Sequence, residues 1–206
     1  MGDGAELQEK NRARAQRRDG MAETVENGGN NSMQYIRPSA DPSESFWYVA
    51  HTCANREKRV GEQLLSRSVE HFLPLYTSVR RWKDRKVELQ LPLFPGYVFV
   101  RLALRDQLHV LQIPGVARLV SFGTAPAALP AEEIETLRRS LEAGPRATPH
   151  PMIDVGRDVR VKSGPMAGLR GILKRRASRT RLVVSVKLIQ RAIALEIDEA
   201  DIEVIG

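Results

Sequence analysis

The chain has 206 residues, 32 of them Lys or Arg against 25 Asp or Glu, and its charge of +7 and pI of about 9.9 favour an anionic partner. A single cysteine, Cys53, excludes an intramolecular disulfide and any multi-cysteine metal site. No apolar run approaches the ~18–20 residues of a membrane span and the start lacks a signal-peptide core, so a cytoplasmic protein with no membrane partner is expected.

Residues 1–44 hold 6 basic and 8 acidic groups among Gly, Asn and Ser. Their few apolar residues cannot offset the entropy of ordering, so a disordered tail is predicted; a solvated cluster is the favoured reading of Arg12, Arg14, Arg17 and Arg18, and nucleic-acid contact the competing one. Met21 and Met33 are candidate translation starts. The positive charge lies downstream: 15 basic against 10 acidic groups over 45–146, and 11 against 7 over 147–206.

Phe46-Trp47-Tyr48-Val49-Ala50 predicts a strand. Asn55 is placed to cap a following helix with the stripe Val60, Leu64, Leu65 and Val69; Arg56, Lys58, Arg59 and Glu62 lie off it. His71 to Tyr76 leads into a long hairpin that turns over Trp82–Lys86 and returns through Val87, Leu89 and Leu91. Its tip gathers Arg80, Arg81, Lys83, Arg85 and Lys86 around Trp82, which suits phosphate contact and base stacking; a solvated hairpin end is the competing reading.

The hairpin feeds the most apolar decapeptide of the chain, Leu91 to Val100. Pro92 and Pro95 cannot donate to a ladder and Gly96 supplies a bend. Beyond it Tyr97 and Phe99 share one face of a strand, and Val98 and Val100 share the other. Neither face is polar, so both need cover, from the protein's own core or from a partner.

Asp106–Gln112 predicts a short helix ended by Pro114 and Gly115, followed by a strand from Val116 to Phe122. After a loop, Pro130 starts a helix carrying Ile134, Leu137 and Leu141. Gly144, Pro145, Pro149 and Pro151 mark residues 143–153 as a linker. Short strands at Val155–Val161, around Gly168 and Gly171, Leu182–Leu188, Ala192–Ile197 and Ile202–Ile205 then suggest a small closed barrel over 154–206. The fold class expected is therefore α+β: an antiparallel-sheet domain with flanking helices over 45–142, then the linker, then the all-β barrel.

Several stretches, in matching order, resemble one family. Phe94-Pro95-Gly96-Tyr97-Val98-Phe99-Val100, the opening Trp-Tyr strand with its Arg-rich helix, Ile113-Pro114-Gly115-Val116, Phe122-Gly123 and Leu129-Pro130 are similar to the amino-terminal (NGN) domain of NusG transcription elongation and antitermination factors. Val159-x-Val161, Ser163-Gly164-Pro165 and Gly168-x-x-Gly171 resemble a KOW motif. The resemblance covers roughly residues 46–206. It implies a monomeric non-enzyme that binds the clamp helices of RNA polymerase through Phe94, Pro95, Tyr97, Phe99 and Phe122. Bridging the clamp reduces pausing or termination. Arg56, Lys58, Arg59, Arg81, Lys83 and Arg85 are then expected near non-template DNA or nascent RNA. Met166, Leu188, Ile189 and Arg191 are expected to receive a small-subunit ribosomal protein or the termination factor Rho. Leu188 and Ile189 are neighbours, so on a regular strand one of them is exposed. A stable barrel, free of the first domain, is expected, because Val183, Val184, Val186, Ile193 and Ile197 favour strands.

Pro114 stands where RfaH-type specialised paralogues carry a basic residue, as it does in the general factors; the compact Pro92-Leu93-Phe94-Pro95 approach is instead like the paralogues and tips the balance toward them. The alternative, a KOW-containing ribosomal or RNA-binding protein, explains the charge but leaves Phe94–Val100 without a purpose. His51, His71, His109 and His150 are scattered, and His51 beside Cys53 lacks an oriented third group, so no catalytic, cofactor or metal residue is expected.

Overall fold

A computed structural model describes residues 32–33, 36, 38, 41–82, 85–123, 125–144, 147–150, 156–164, 166–176 and 179–205. Most of the expected tail, with its arginine cluster, lies outside these residues, as do Lys83 and residues 151–155. In chain order the strands and α-helices are β1 (Ser32–Met33), β2 (Ser45–Thr52), α1 (Glu57–Ser66), β3 (His71–Phe72), β4 (Leu75–Trp82), β5 (Arg85–Pro92), β6 (Tyr97–Ala103), α2 (Gln107–Leu111), β7 (Val116–Leu119), β8 (Ser121–Phe122), β9 (Ala125–Pro126), α3 (Ala131–Glu142), β10 (Ala147–His150), β11 (Arg157–Val161), β12 (Arg170–Arg176), β13 (Arg179–Val186), β14 (Arg191–Glu196) and β15 (Ile202–Val204).

β2 and β6 lie at the centre of a four-stranded sheet ordered β3-β6-β2-β7. Val49 is registered with Phe99, and Tyr48 with Val100. Alternation along both strands sorts their side chains into two cores. Tyr48, Ala50, Val98, Val100 and Leu102 meet Val60 and Leu64 of α1 and Val110 of α2. Trp47, Val49 and Phe99 face the other way, toward Leu93, Phe94 and Ile134 and Leu137 of α3. The two-sided burial expected of the apolar decapeptide is thus present.

Helix α1 departs from its expected details. Asn55 has φ of +60° and does not cap; Arg56 is the N-cap residue, without a side-chain cap bond. Val60 and Leu64 are buried but Leu65 is 72% exposed, because consecutive helical residues are ~100° apart and Leu65 turns past the sheet. The helix ends where Val69 N–H donates to Leu64 O and Ser68 N–H to Leu65 O, with Ser68 at φ +57° in the place usually taken by glycine. The expected strand Val116–Phe122 is interrupted at Val120, whose amide donates to Val49 O.

β4 and β5 form a separate two-stranded ribbon, registered from Leu75–Pro92 out to Trp82–Arg85. Its pairing runs further than the expected turn at Trp82–Lys86 allows.

The carboxy-terminal strands pair in the path β10-β14-β13-β12-β11-β15. Among the described residues the path runs from β10 to β15, an all-β unit as expected from the strand count. The presumed linker supplies a strand: Ala147–His150 pairs with Ala192–Leu195 of β14. Pro149 fits because β10 ends the path and needs no donor on its outer side. Leu188 and Ile189 sit in a 3₁₀ turn (Lys187–Ile189) rather than on a strand. The alternation argument therefore does not apply: Ile189 is 6% exposed and Leu188 is half-buried.

The expectation that this sheet stands free of the first is also corrected. Val159, Leu182, Val184, Ile193 and Ile189 belong to the same continuous hydrophobic cluster as Trp47, Phe94, Phe99 and Leu137. The segment before β2 touches both parts, since Ser32–Met33 pairs in parallel with Ser185–Val186 and Ile36 exchanges backbone hydrogen bonds with Ala128.

Candidate functional site

The bend before β6 is where sequence chemistry becomes site geometry. Gly96 has φ of +86°, a conformation that costs an L side chain but not glycine. Its carbonyl accepts from the Thr52 amide at 2.8 Å, and its own amide donates to Glu57 Oε1 at 2.7 Å. The bend is thereby tied to β2 and to the first turn of α1. Phe94 N-terminal to it folds inward and meets Phe99 edge-on, with ring centroids 5.5 Å apart at 85°. Phe72 of β3 lies 5.9 Å from Phe99 on another side. Arg138 on α3 spreads its guanidinium over both Trp47 (5.4 Å) and Phe72 (5.3 Å), while approaching Glu70 and Glu135.

The aromatic residues expected to meet a partner divide into two sets. Phe94 and Phe99 are 1% and 0% exposed, so as residues presented to a partner they are corrected to interior positions. Tyr97 is half-buried and stacks at a tilt on His51 at 5.2 Å; Pro95 is exposed; Phe122 is 62% exposed beside the positive-φ Gly123. Trp47, Ile134, Leu137 and Arg138 complete the apolar face. A helix stripe signalled Ile134 and Leu137 in the sequence, but nothing local distinguished Arg138 from the other charged residues of α3. The role of Glu57 in holding Gly96 was equally invisible, since the two are 39 residues apart.

Four buried polar atoms of β2 lack partners among the described residues: the Trp47 Nε1, the Tyr48 hydroxyl, the His51 Nδ1 and the Thr52 Oγ1. Burial, reinforced by the charge of Glu44, pushes the Tyr48 phenol up to about 12.

Arg56, Lys58 and Arg59 are exposed on α1, and Arg81 and Arg85 are exposed on the β4–β5 ribbon. Arg81 is registered with Lys86, two cations directly opposed. In the carboxy-terminal sheet Met166 and Leu188 are half-buried and pack on the large cluster, while Arg191 is exposed. The structure thus brings together Phe94, Tyr97, Phe99, Met166, Leu188 and Ile189 in one cluster and its margin, and leaves the cations on separate surfaces.

Comparison with known proteins agrees with this architecture. Residues 45–138 match the family described as "Transcription termination factor nusG". A curated relative, the transcription termination/antitermination protein NusG of Rickettsia felis, is 30% identical over 182 residues, covering 81% of this chain and 94% of the relative. This chain belongs to the NusG family. The NusG protein of Pseudomonas aeruginosa is 27% identical over 172 residues, covering 76% of this chain and 97% of that one. A solved structure of Thermotoga maritima NusG, described as showing domain interaction, shares the fold with a TM-score of 0.50 at 22% identity, covering 80% of this chain and 99% of that one. The general function of this NusG-family chain is accordingly in transcription termination and antitermination. Among its described residues no helix is long and apolar enough to cross a membrane.

Proposed function

We propose that the apolar face of Trp47, Val49, Phe94, Phe99, Ile134 and Leu137 is a docking site for the clamp helices of RNA polymerase, and that the carboxy-terminal sheet covers it in the unbound protein. The observation that carries this reading is the single hydrophobic cluster that joins the face to the interior of that sheet. One side of β6 is filled by α1 and α2; the other is too apolar to meet water and is filled by α3 and by a second structural unit. A face covered by a tethered unit is one that a competing helix can occupy when that unit moves aside, at a free-energy difference set by the two contacts. Phe94 and Phe99 form the floor, with Tyr97, Pro95 and Phe122 at the rim.

On this reading the chain divides into a polymerase-binding unit over 45–142 and a KOW unit over 154–206. Clamp bridging disfavours opening of the polymerase and so reduces pausing or termination, without chemistry. Displacement of the KOW unit offers Met166, Leu188, Ile189 and Arg191 to a ribosomal protein or to Rho. Arg56, Lys58, Arg59, Arg81, Lys83 and Arg85 lie toward the nucleic acid of the elongation complex.

The test is the double variant Tyr97→Ala/Phe122→Ala, which removes rim contacts and spares the interior. Its affinity for core polymerase should fall about tenfold or more, ~1.4 kcal/mol or above, with an unchanged circular dichroism spectrum. A folded double variant that binds polymerase as tightly as the parent overturns the assignment.

A further inference from the structure

We infer that β1 and Ile36 form a clasp that pins the carboxy-terminal sheet to the approach to α3 and sets how readily the two structural units part. The stretch precedes residues 45–138, the part that matches the family. Ser32 and Met33 are registered in parallel with Ser185 and Val186 of β13. Three residues on, the Ile36 amide donates to Ala128 O at 2.8 Å, and Ile36 O accepts from the Ala128 amide at 3.2 Å. One stretch therefore holds a strand of the second unit and the segment that leads into α3 of the first.

Each anchor has a physical reason. The β12–β13 ladder stops at Ile172–Val183, so Ser185 and Val186 at the end of β13 keep β14 on one side only. Both are buried, where an unpaired backbone group is costly. β1 supplies the missing neighbour on that free edge. At the other anchor Ala128 is fully buried and its neighbour Leu129 donates to Trp47 O at 2.7 Å. The Ile36 side chain packs on the cluster of Tyr48, Ala50 and Val100. The first unit thus holds Ile36 by backbone and by side chain.

The chain from Met33 to Ile36 spans at most ~11 Å, so while both anchors hold, the end of β13 cannot leave the approach to α3. The covalent connection between the units starts from the other end of α3, at Glu142, and enters β10 at Ala147. A helix of 12 residues is ~18 Å long. The second unit is therefore tied at both ends of α3, the helix whose Ile134 and Leu137 lie in the shared cluster. One tether allows swinging about a point; two, one at each end of a helix, do not. Each anchor alone is small, but joined by so short a stretch, the making of one raises the effective concentration of the other. The clasp stands on this pairing alone; only its consequence for polymerase rests on the covered-face reading above.

The experiment uses the full chain and NMR relaxation of backbone amides. Ile36→Pro removes the donor to Ala128 O. Consecutive residues of a strand point their N–H groups to opposite sides, so Ser32→Pro/Met33→Pro removes whichever donor β1 offers to β13. In the parent, β6 and β13 should share one tumbling time. In each proline variant β13 should tumble faster than β6, and hydrogen-exchange protection should be lost at the anchor left unmutated: at the Ala128 amide in the first-strand variant, and at the Ser185 or Val186 amide that faces β1 in the Ile36 variant. Ile36→Val keeps both backbone bonds and should behave as the parent. Core polymerase should bind either proline variant about fivefold more tightly, the equivalent of one backbone hydrogen bond of closure. Separate tumbling with unchanged polymerase affinity supports the clasp and counts against the covered face. The clasp is overturned by proline variants that tumble as one body with the distant anchor protected, by a parent whose units already tumble apart, by an Ile36→Val chain that opens as the proline variants do, or by proline variants that unfold β2 or β12, which would make the stretch part of a core.

Discussion

The Gly96 amide donates to Glu57 Oε1 at 2.7 Å, and Glu57 is a carboxylate only 4% exposed. This bond joins the bend that launches the central strand to the start of the first helix, across the sheet's edge. Removing the acceptor leaves a partly buried N–H without a partner, which costs ~1–3 kcal/mol. Glu57→Ala should therefore lower the unfolding free energy read from urea denaturation by that much. Glu57→Gln keeps an acceptor oxygen and should lose less. An Ala variant within about 0.5 kcal/mol of the parent, the range of ordinary surface changes, would show that the bond is incidental.

Tyr48 gives a pH-dependent prediction. Its phenol titrates near 10 when unfolded and near 12 in the folded protein, because burial opposes the phenolate and Glu44 adds to the effect. The folded state thus holds its proton more tightly, and stability falls as pH rises between these values and is unaffected below them. Its hydroxyl has no partner among the described residues, so Tyr48→Phe should match or exceed the parent in stability at pH 7. Between pH 10 and 12 the Phe variant should hold its melting temperature better than the parent. Parallel declines for the two proteins would refute the assignment.

How much of this was legible beforehand follows from the range of each interaction. The strand Phe46–Ala50, the ribbon and the two-sided β6 were visible because period-2 alternation is local. The cap at Asn55 and the inward place of Leu65 were misread because a helix stripe fixes a direction only to within one residue. Ala147–His150 resembled a linker by its prolines, yet a terminal strand tolerates them. The joining of the two sheets through one cluster depends on tertiary packing between residues some hundred positions apart, for which no spacing in the sequence is diagnostic. Of the aromatic residues expected to meet a partner, Phe94 and Phe99 are buried and Phe122 is exposed, a division that alternation along one strand does not reveal.

That division predicts opposite phenotypes for two phenylalanines. Phe99 touches Phe94 and Phe72 at full burial, so Phe99→Ala should cost ~3–5 kcal/mol in stability. Phe122 is largely exposed, so Phe122→Ala should stay within ~0.5 kcal/mol. Chemical denaturation of both single variants decides the matter; comparable losses would mean that Phe122 is as structural as Phe99.

At Gly171 of β12 the carboxy-terminal sheet leaves no room for a side chain. A Cβ there would lie 2.5 Å from the Val183 carbonyl oxygen and 2.9 Å from Leu182 Cδ1. The first obstacle is backbone of the neighbouring strand, which cannot rotate away as a side-chain tip does. Gly171→Ala must therefore push β12 from β13, at the ~1–3 kcal/mol typical of overpacking or more. Leu182 is part of the cluster shared with Phe99 and Leu137, so the disturbance should also loosen the cover of the first sheet. Hydrogen exchange of the full-length variant should show lost protection over Ile172–Val184, and binding of an apolar dye should increase. Exchange in the variant indistinguishable from the parent would mean that the two strands separate freely at Gly171, contrary to the packing described.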